Sequence, residues 1–131
     1  MKSTILRFFS VTVLALFALS ANAGDVVVIT NTGTTISASE IKDVFLGEKQ
    51  FSGSSKLVVI DNKSAQEGFL SKFMNFDAAK YNSIWTKKSF RDGLNPPAVK
   101  SNDDEVIEFV KRTPGAVGYV SKASEGVNIV K

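Results

Sequence analysis

Two short runs of β-branched and aliphatic residues in this chain are uninterrupted by polar side chains. Such runs are typical of strands buried on both faces of a sheet, and they predict strands over residues 25–30 and 56–61. Two further apolar runs, at residues 116–120 and 127–130, predict strands near the end of the sequence.

Four other segments combine a polar residue at the start with apolar side chains at helical spacing, and each predicts a helix. They begin at Ser37, Ser64, Asp77 and Ser101. In the first two, Glu40 and Glu67 stand three residues after the serine and complete a capping box. Residues 51–55, rich in serine, predict a flexible connection, and Asn95-Pro-Pro97 predicts a break in helical structure.

The predicted order is strand, helix, strand, three helices, strand, strand. Strands that alternate with capped helices indicate an α/β domain, here a central, mostly parallel or mixed four-stranded sheet flanked by about four helices. In such domains ligands bind beyond the carboxyl ends of strands. The loops at residues 30–35 and 61–64 are therefore the candidate ligand-binding segments.

The second of these loops is the stronger candidate. The predicted helix start at Ser64 leaves backbone N–H groups without intrahelical partners, and these groups attract anions. Asn62, Lys63 and Ser64 could add an amide, a positive charge and a hydroxyl, and Ala65 a backbone N–H. The alternative is that Ser64 only caps its own helix. Asp61 would repel an anion unless its side chain faces away.

The first loop is rich in hydroxyl groups. Thr32, Thr34 and Thr35 follow a buried strand and could form a wall of hydrogen-bond donors beside the same anion. The alternative is an ordinary turn, because hydroxyl-rich loops are common.

The first 23 residues are typical of a secretory signal peptide. Lys2 and Arg7 precede an apolar run at residues 8–19, and Ala21-Asn-Ala23 is a small-x-small cleavage site. The run is too short to span a bilayer, so we expect cleavage after Ala23 and no stable membrane anchor afterwards. The domain then covers residues 24–131, and we expect it in a bacterial periplasm.

Composition excludes several classes of protein. The chain has no Cys and no His, which removes thiol nucleophiles, iron–sulfur clusters and the commonest general base. No base–nucleophile arrangement is evident, so we expect neither an enzyme nor a cofactor nor a metal site. Removing Lys2 and Arg7 leaves 14 basic and 13 acidic side chains, which does not favour a nucleic-acid partner.

One basic cluster stands beside aromatic residues. Lys87, Lys88 and Arg91 lie within the third predicted helix, close to Trp85 and Phe90. Such a cluster could be an interaction surface. The alternative is a solvated helix face above aromatic residues of the core.

The ordered set of motifs resembles the small exported relatives of phosphate ABC-transporter substrate-binding proteins, within the type II periplasmic binding protein superfamily. The matching pieces are Val-Val-Ile-Thr-Asn31, Ser39-Glu-Ile-Lys-Asp-Val-Phe-Leu-Gly47, Leu57-Val-Val-Ile-Asp-Asn62, Phe69, Trp85 with Phe90, Gly93 and Pro97, and Thr113-Pro-Gly-Ala-Val-Gly-Tyr-Val120. The last piece is the most specific.

The resemblance implies one α/β lobe of a protein that holds a tetrahedral oxyanion with backbone N–H groups and hydroxyls. This sequence departs from the family at residues 61–66, where it lacks the arginine and the glycine-threonine pair. Ser64 carries over, and Lys63 substitutes for the missing charge.

Two functions follow as hypotheses. The first is weak periplasmic binding of phosphate or sulfate, linked to phosphate uptake, with residues 62–65 as the floor and Thr32, Thr34 and Thr35 as the wall of the site. A single lobe would bind weakly or complete its site in a homodimer. The second is a ligand-less interaction protein in a cell-envelope assembly.

Overall fold

The computed structural model describes residues 25–131. The predicted signal peptide lies outside these residues. Within the described part, no helix is long and apolar enough to cross a bilayer.

A mixed five-stranded sheet forms the centre of the domain, in the order β5-β4-β6-β1-β7. Its strands are β1 (Val27–Thr30), β4 (Val58–Asn62), β5 (Ala98–Lys100), β6 (Ala116–Val120) and β7 (Asn128–Ile129). β4 runs parallel to both β5 and β6, whereas β1 runs antiparallel to β6 and β7. The predicted α/β class and mixed sheet are confirmed, with one strand more than expected.

The additional strand and a small hairpin were not predicted. β5 follows Pro96 and Pro97, which cannot donate to a ladder, and begins at the next residue. Residues 51–55 are not a flexible connection, since β2 (Phe51–Ser52) and β3 (Ser55–Lys56) pair there as an antiparallel hairpin. Strands this short carry too little periodicity to be recognised in a sequence.

The predicted helices are present with shifted ends. They are a 3₁₀ turn (Ala38–Glu40) leading into α1 (Ile41–Phe45), α2 (Gln66–Phe69) continued by a π-helical turn (Leu70–Met74), α3 (Ala78–Asp92) and α4 (Asp103–Arg112). The Ser37 N–H donates to Glu40 Oε1 (2.9 Å), and Asp77 accepts from the Lys80 N–H (2.9 Å), as the capping patterns predict. Asn102 caps α4 by accepting from the Glu105 N–H.

Alternate residues of the strands supply two apolar layers. One face of the sheet packs against α1, α2 and α3, and its largest buried side chains include Phe45, Phe69 and Tyr119. The Phe69 and Tyr119 rings stack with centroids 3.9 Å apart. The other face packs Ile29 and Ile60 against Val106 and Val110 of α4. The domain is therefore a three-layer α/β/α arrangement.

Candidate functional site

Asn62, at the carboxyl end of β4, is the centre of a buried hydrogen-bond network. Its side chain is fully buried, and its amide Nδ2 donates to the Tyr119 carbonyl (3.0 Å) and to Asp103 Oδ1 (2.8 Å). Its Oδ1 accepts from both the N–H (3.1 Å) and the hydroxyl (2.8 Å) of Ser64. Asn62 therefore joins β4, β6 and α4, and has no amide donor left over for a ligand.

Ser64 does not cap α2, so the second capping box is a wrong prediction. The N-cap residue is Ala65, which has no side-chain cap bond, and both Ser64 donors point back to Asn62. An asparagine that accepts from the backbone two residues later forms an Asx turn, and here that turn competes successfully with capping. The hydroxyl expected to bind a ligand is already bonded inside the protein.

Lys63 and Ala65 differ in whether they have a donor that is available to a ligand. Lys63 is exposed, and its N–H donates to the Lys100 carbonyl (2.8 Å), which extends the pairing with β5. Ala65 is buried, and its N–H donates to the Asn62 carbonyl (3.1 Å). The Lys63 ammonium thus remains available at the surface, whereas the Ala65 N–H does not.

A shallow depression of about 520 Å³ lies beside this turn and is called the Ser64 depression below. It is lined by Val26, Ser64, Ala65, Glu67, Gly68, Ser71 and Ser121. Its acidic member, Glu67, is exposed and adds a negative charge to the lining. The Ser121 hydroxyl donates to Asp103 Oδ2 (2.8 Å), so it is occupied as well. The depression is polar and open, and its charges do not favour tight anion binding.

Asp61 faces away from the depression into the core. Its carboxylate accepts from the Tyr119 hydroxyl (2.8 Å) and from the Tyr81 hydroxyl (3.0 and 3.2 Å). Burial raises the pKa of Asp61 to about 6, although the two tyrosine donors lower it in part. The expected repulsion between Asp61 and an anion at the loop is therefore small, because the carboxylate lies on the other side of the strand.

The threonine loop lies at the opposite edge of the sheet. β4 is parallel to β6 but β1 is antiparallel to it, so the carboxyl ends of β1 and β4 point in opposite directions. The five residues of β4 alone span about 15 Å. The expectation that the two loops form the floor and wall of one site is wrong, because it assumed that the two strands run in the same direction.

The three threonines have separate roles in the fold. Thr34 is buried, its hydroxyl accepts from the Gly115 N–H (2.9 Å), and its carbonyl accepts from the Thr30 hydroxyl (2.9 Å). Thr32 and Thr35 are exposed. This loop is the compact turn that the alternative interpretation described, with Thr34 fixing it to the start of β6.

Asn31 forms an Asx turn at this edge as Asn62 does at the other, and the sequence analysis predicted neither turn. Asn31 Oδ1 accepts from the Gly33 N–H (2.9 Å), and its Nδ2 donates to the Val110 carbonyl (2.9 Å) at the end of α4. An asparagine directly after a buried strand is a recognisable Asx-turn signal. Its distant partners leave no trace in the local pattern.

The described residues were also compared with the ligand sets that hold metal ions. Nowhere in residues 25–131 do three carboxylates come together as a group that could hold a metal ion.

Fold and loops together define a three-layer α/β domain with a mixed five-stranded sheet. No protein-family model and no curated protein matches the sequence. Solved structures do match, and three of them each cover 82% of the chain. They are a protein from Clostridium perfringens described as a phosphate ABC transporter substrate-binding protein with bound phosphate (16% identity, TM-score 0.57), PstS from Borrelia burgdorferi (19%, 0.58), and an ABC-type phosphate transport receptor from Vibrio cholerae (12%, 0.52).

The chain spans less than half the length of each of these proteins, between 44% and 46%. Identities this low establish the fold alone. The protein therefore has the fold of slightly under half of a phosphate-transporter substrate-binding protein, and the resemblance found in the sequence motifs is confirmed at the level of the fold.

Proposed function

We propose that this protein is an exported, periplasmic solute-binding domain that takes a small oxyanion such as phosphate or sulfate weakly at the Ser64 depression. The likeness to substrate-binding folds carries the proposal, one of them described as holding bound phosphate. The proposal assigns binding, and no catalytic step, to the chain. A connection with phosphate uptake follows if the anion is phosphate.

Weak binding follows from the donors that remain. Lys63 supplies an exposed positive charge at the end of β4, and Ser71 supplies an exposed hydroxyl in the lining. Ser64 contributes little, since both of its donors are bonded to Asn62. Glu67 opposes the anion. Each missing charge-assisted hydrogen bond lowers affinity by roughly one to two orders of magnitude, so we expect weak binding.

The test is a titration followed by backbone NMR, with phosphate and sulfate added at constant ionic strength against chloride. Saturable shifts confined to residues 63–71 are expected. Lys63→Ala should weaken binding about 2- to 5-fold and Glu67→Gln should strengthen it by a similar factor, because Lys63 adjoins Ser64 in the chain and Glu67 lines the depression, and each change alters one solvated charge. Thr35→Ala, at the opposite edge, is the matched control and should leave the affinity unchanged. Identical responses to phosphate and chloride would contradict the proposal.

A ligand-less interaction protein of the cell envelope is the second candidate. The saturated Ser64 donors favour it, because a binding site usually presents its donors to the ligand rather than to its own chain. No oxyanion response, together with co-purification of a specific envelope partner, would support this alternative.

A further inference from the structure

Phe90 is the most exposed large apolar side chain among residues 25–131, with 93% of its surface accessible. It lies in the last turn of α3, whose buried residues are Tyr81, Trp85 and Lys88. With 3.6 residues per turn, Phe90 projects from the side of the helix opposite to Trp85 and Lys88. The alternative interpretation of this cluster placed both aromatic side chains in the core beneath a solvated helix face. It is right for Trp85, which is buried, and wrong for Phe90, which is exposed. Packing of α3 does not require a phenylalanine at this position.

A shallow depression of about 540 Å³ adjoins the Phe90 ring. It is lined by Asn82, Trp85, Thr86, Ser89, Phe90 and Pro96, which are together called the Phe90 surface. Trp85 is held by its Nε1, which donates to the Phe45 carbonyl (3.1 Å), so the apolar floor is fixed by the core. Within the described residues, the Asn82 side-chain amide and the Ser89 hydroxyl have no protein partner. The surface thus combines an apolar recess with polar groups that can bond to a ligand.

The charges around this surface are predominantly positive. Lys87 and Arg91 are both exposed and flank Phe90, whereas Lys88 turns inward and pairs with Glu48. Arg91 pairs with Asp92 (3.2 Å), but both side chains are well solvated, and an exposed pair of this kind exchanges partners at little cost. The side chains beside the aromatic ring therefore favour an acidic partner.

We infer that the Phe90 surface docks an acidic segment of another protein, which inserts an apolar side chain beside Trp85 and Pro96 and places carboxylates near Lys87 and Arg91. A protein segment fits better than a membrane surface, because a single projecting side chain can enter the recess between Trp85 and Pro96, whereas a flat surface would contact only its rim. Aromatic and arginine residues around a recess are the composition of interface hot spots.

Trp85 is the only tryptophan of the chain and lines the proposed site, so its fluorescence reports binding directly. The probes are short synthetic peptides of Asp and Glu around a central Phe, Leu or Met. We expect a saturable fluorescence change with at least one of them, and a much weaker one with a central Ala. Phe90→Ser should lower the affinity by about tenfold or more, and so should the double change Lys87→Glu with Arg91→Glu.

Phe51→Ser is the matched control, because Phe51 is the other strongly exposed phenylalanine of residues 25–131 (53%) and lies on the β2–β3 hairpin with Lys56 over its ring. This control should bind the peptides as the unchanged protein does. Absence of a saturable response to every acidic peptide, or unchanged binding by Phe90→Ser, overturns the inference. A fluorescence change only with phosphatidylglycerol vesicles would indicate a membrane partner and would also overturn it. So would a fluorescence change that depends only on the concentration of the protein itself, which would indicate a second copy of this chain.

Discussion

The Asp61 carboxylate is buried between two tyrosines, in a position where most folds place an apolar side chain. Its side-chain partners among the described residues are the Tyr81 and Tyr119 hydroxyls, which connect α3 and β6 to β4. Burial also raises the pKa of both tyrosines, so they remain donors at any ordinary pH. The carboxylate consequently gains hydrogen bonds but no compensating positive charge. Asp61 therefore holds its proton more tightly in the folded protein than in the unfolded chain.

This arrangement predicts a stability that falls as the pH rises. The pKa of Asp61 is about 6 in the folded protein and near 3.8 in the unfolded chain. The folded state therefore retains a proton that the unfolded state releases, and the resulting stabilisation is complete below pH 3.8 and lost as the pH rises through 6. Between pH 5 and pH 7.5 the free energy of unfolding should fall by about 1.5 kcal/mol. Urea denaturation across this range measures it.

The chain has no histidine, so no other side chain normally titrates strongly in this window. Asp61→Asn should remove most of the pH dependence and should be more stable than the unchanged protein at pH 7.5, because a neutral amide avoids the cost of burying a charge. Asp104→Asn, at an exposed carboxylate of α4, should retain the slope. A pH-independent stability in the unchanged protein would contradict this account of Asp61.

The turn between α4 and β6 shows how an element of the fold explains a sequence motif. Gly115 lies within Thr113-Pro-Gly-Ala-Val-Gly-Tyr-Val120 and has φ +87°, a conformation that side chains rarely adopt. Its N–H donates to Thr34, and its carbonyl accepts from the Val58 N–H (2.8 Å). A Cβ at this position would overlap the Lys56 carbonyl oxygen. The glycine of this motif is therefore required because β4 and the threonine loop both pack closely against the start of β6.

Gly115→Ala should destabilise the protein by about 3 kcal/mol or more, because it combines backbone strain with a collision against main chain that cannot move aside. Gly53→Ala is the matched control: Gly53 has φ +60°, but nothing lies within 4 Å of the added Cβ. It should cost about 1 kcal/mol, the strain alone. Thermal unfolding of the two variants separates these contributions, and equal losses would show that the close approach at Gly115 is unimportant.

For the molecule as a whole, the mixed sheet decides where function can reside. Because β1 opposes β4, the threonine loop and the Ser64 depression lie at opposite edges and cannot hold one ligand. The chain also spans less than half the length of the similar solved structures. The proposed oxyanion site is thus limited to the open Ser64 depression, and the proposal predicts weak binding there.

Export is a prediction about the whole molecule. If residues 1–23 are a signal peptide, the protein expressed in a Gram-negative bacterium should appear in the periplasmic fraction with Gly24 as its first residue. Fractionation followed by N-terminal sequencing measures both. Replacing Leu14 and Leu16 by arginine interrupts the apolar run and should leave the uncleaved protein in the cytoplasm. An intact Met1 in the periplasm, or cytoplasmic protein without that change, would contradict the prediction.

Local patterns were sufficient for much of the fold. The Asp77 cap and the first capping box depend on contacts within a few residues, and the apolar run that forms β6 is visible in the sequence itself. All three were therefore predicted from local pattern. The α/β class followed because the order of such elements restricts how layers can pack. The resemblance added the similarity to substrate-binding proteins, which the fold confirms.

The candidate site depended on contacts that no local pattern contains. Asn62 bonds to a carbonyl 57 residues away, and that bond turns the Ser64 donors inward. The direction of β1, the burial of Asp61 and the exposure of Phe90 are likewise set by which distant segments pack together. Side-chain spacing specifies the faces of single elements, whereas the relative direction of strands and the choice of hydrogen-bond partners are decided only when the layers assemble.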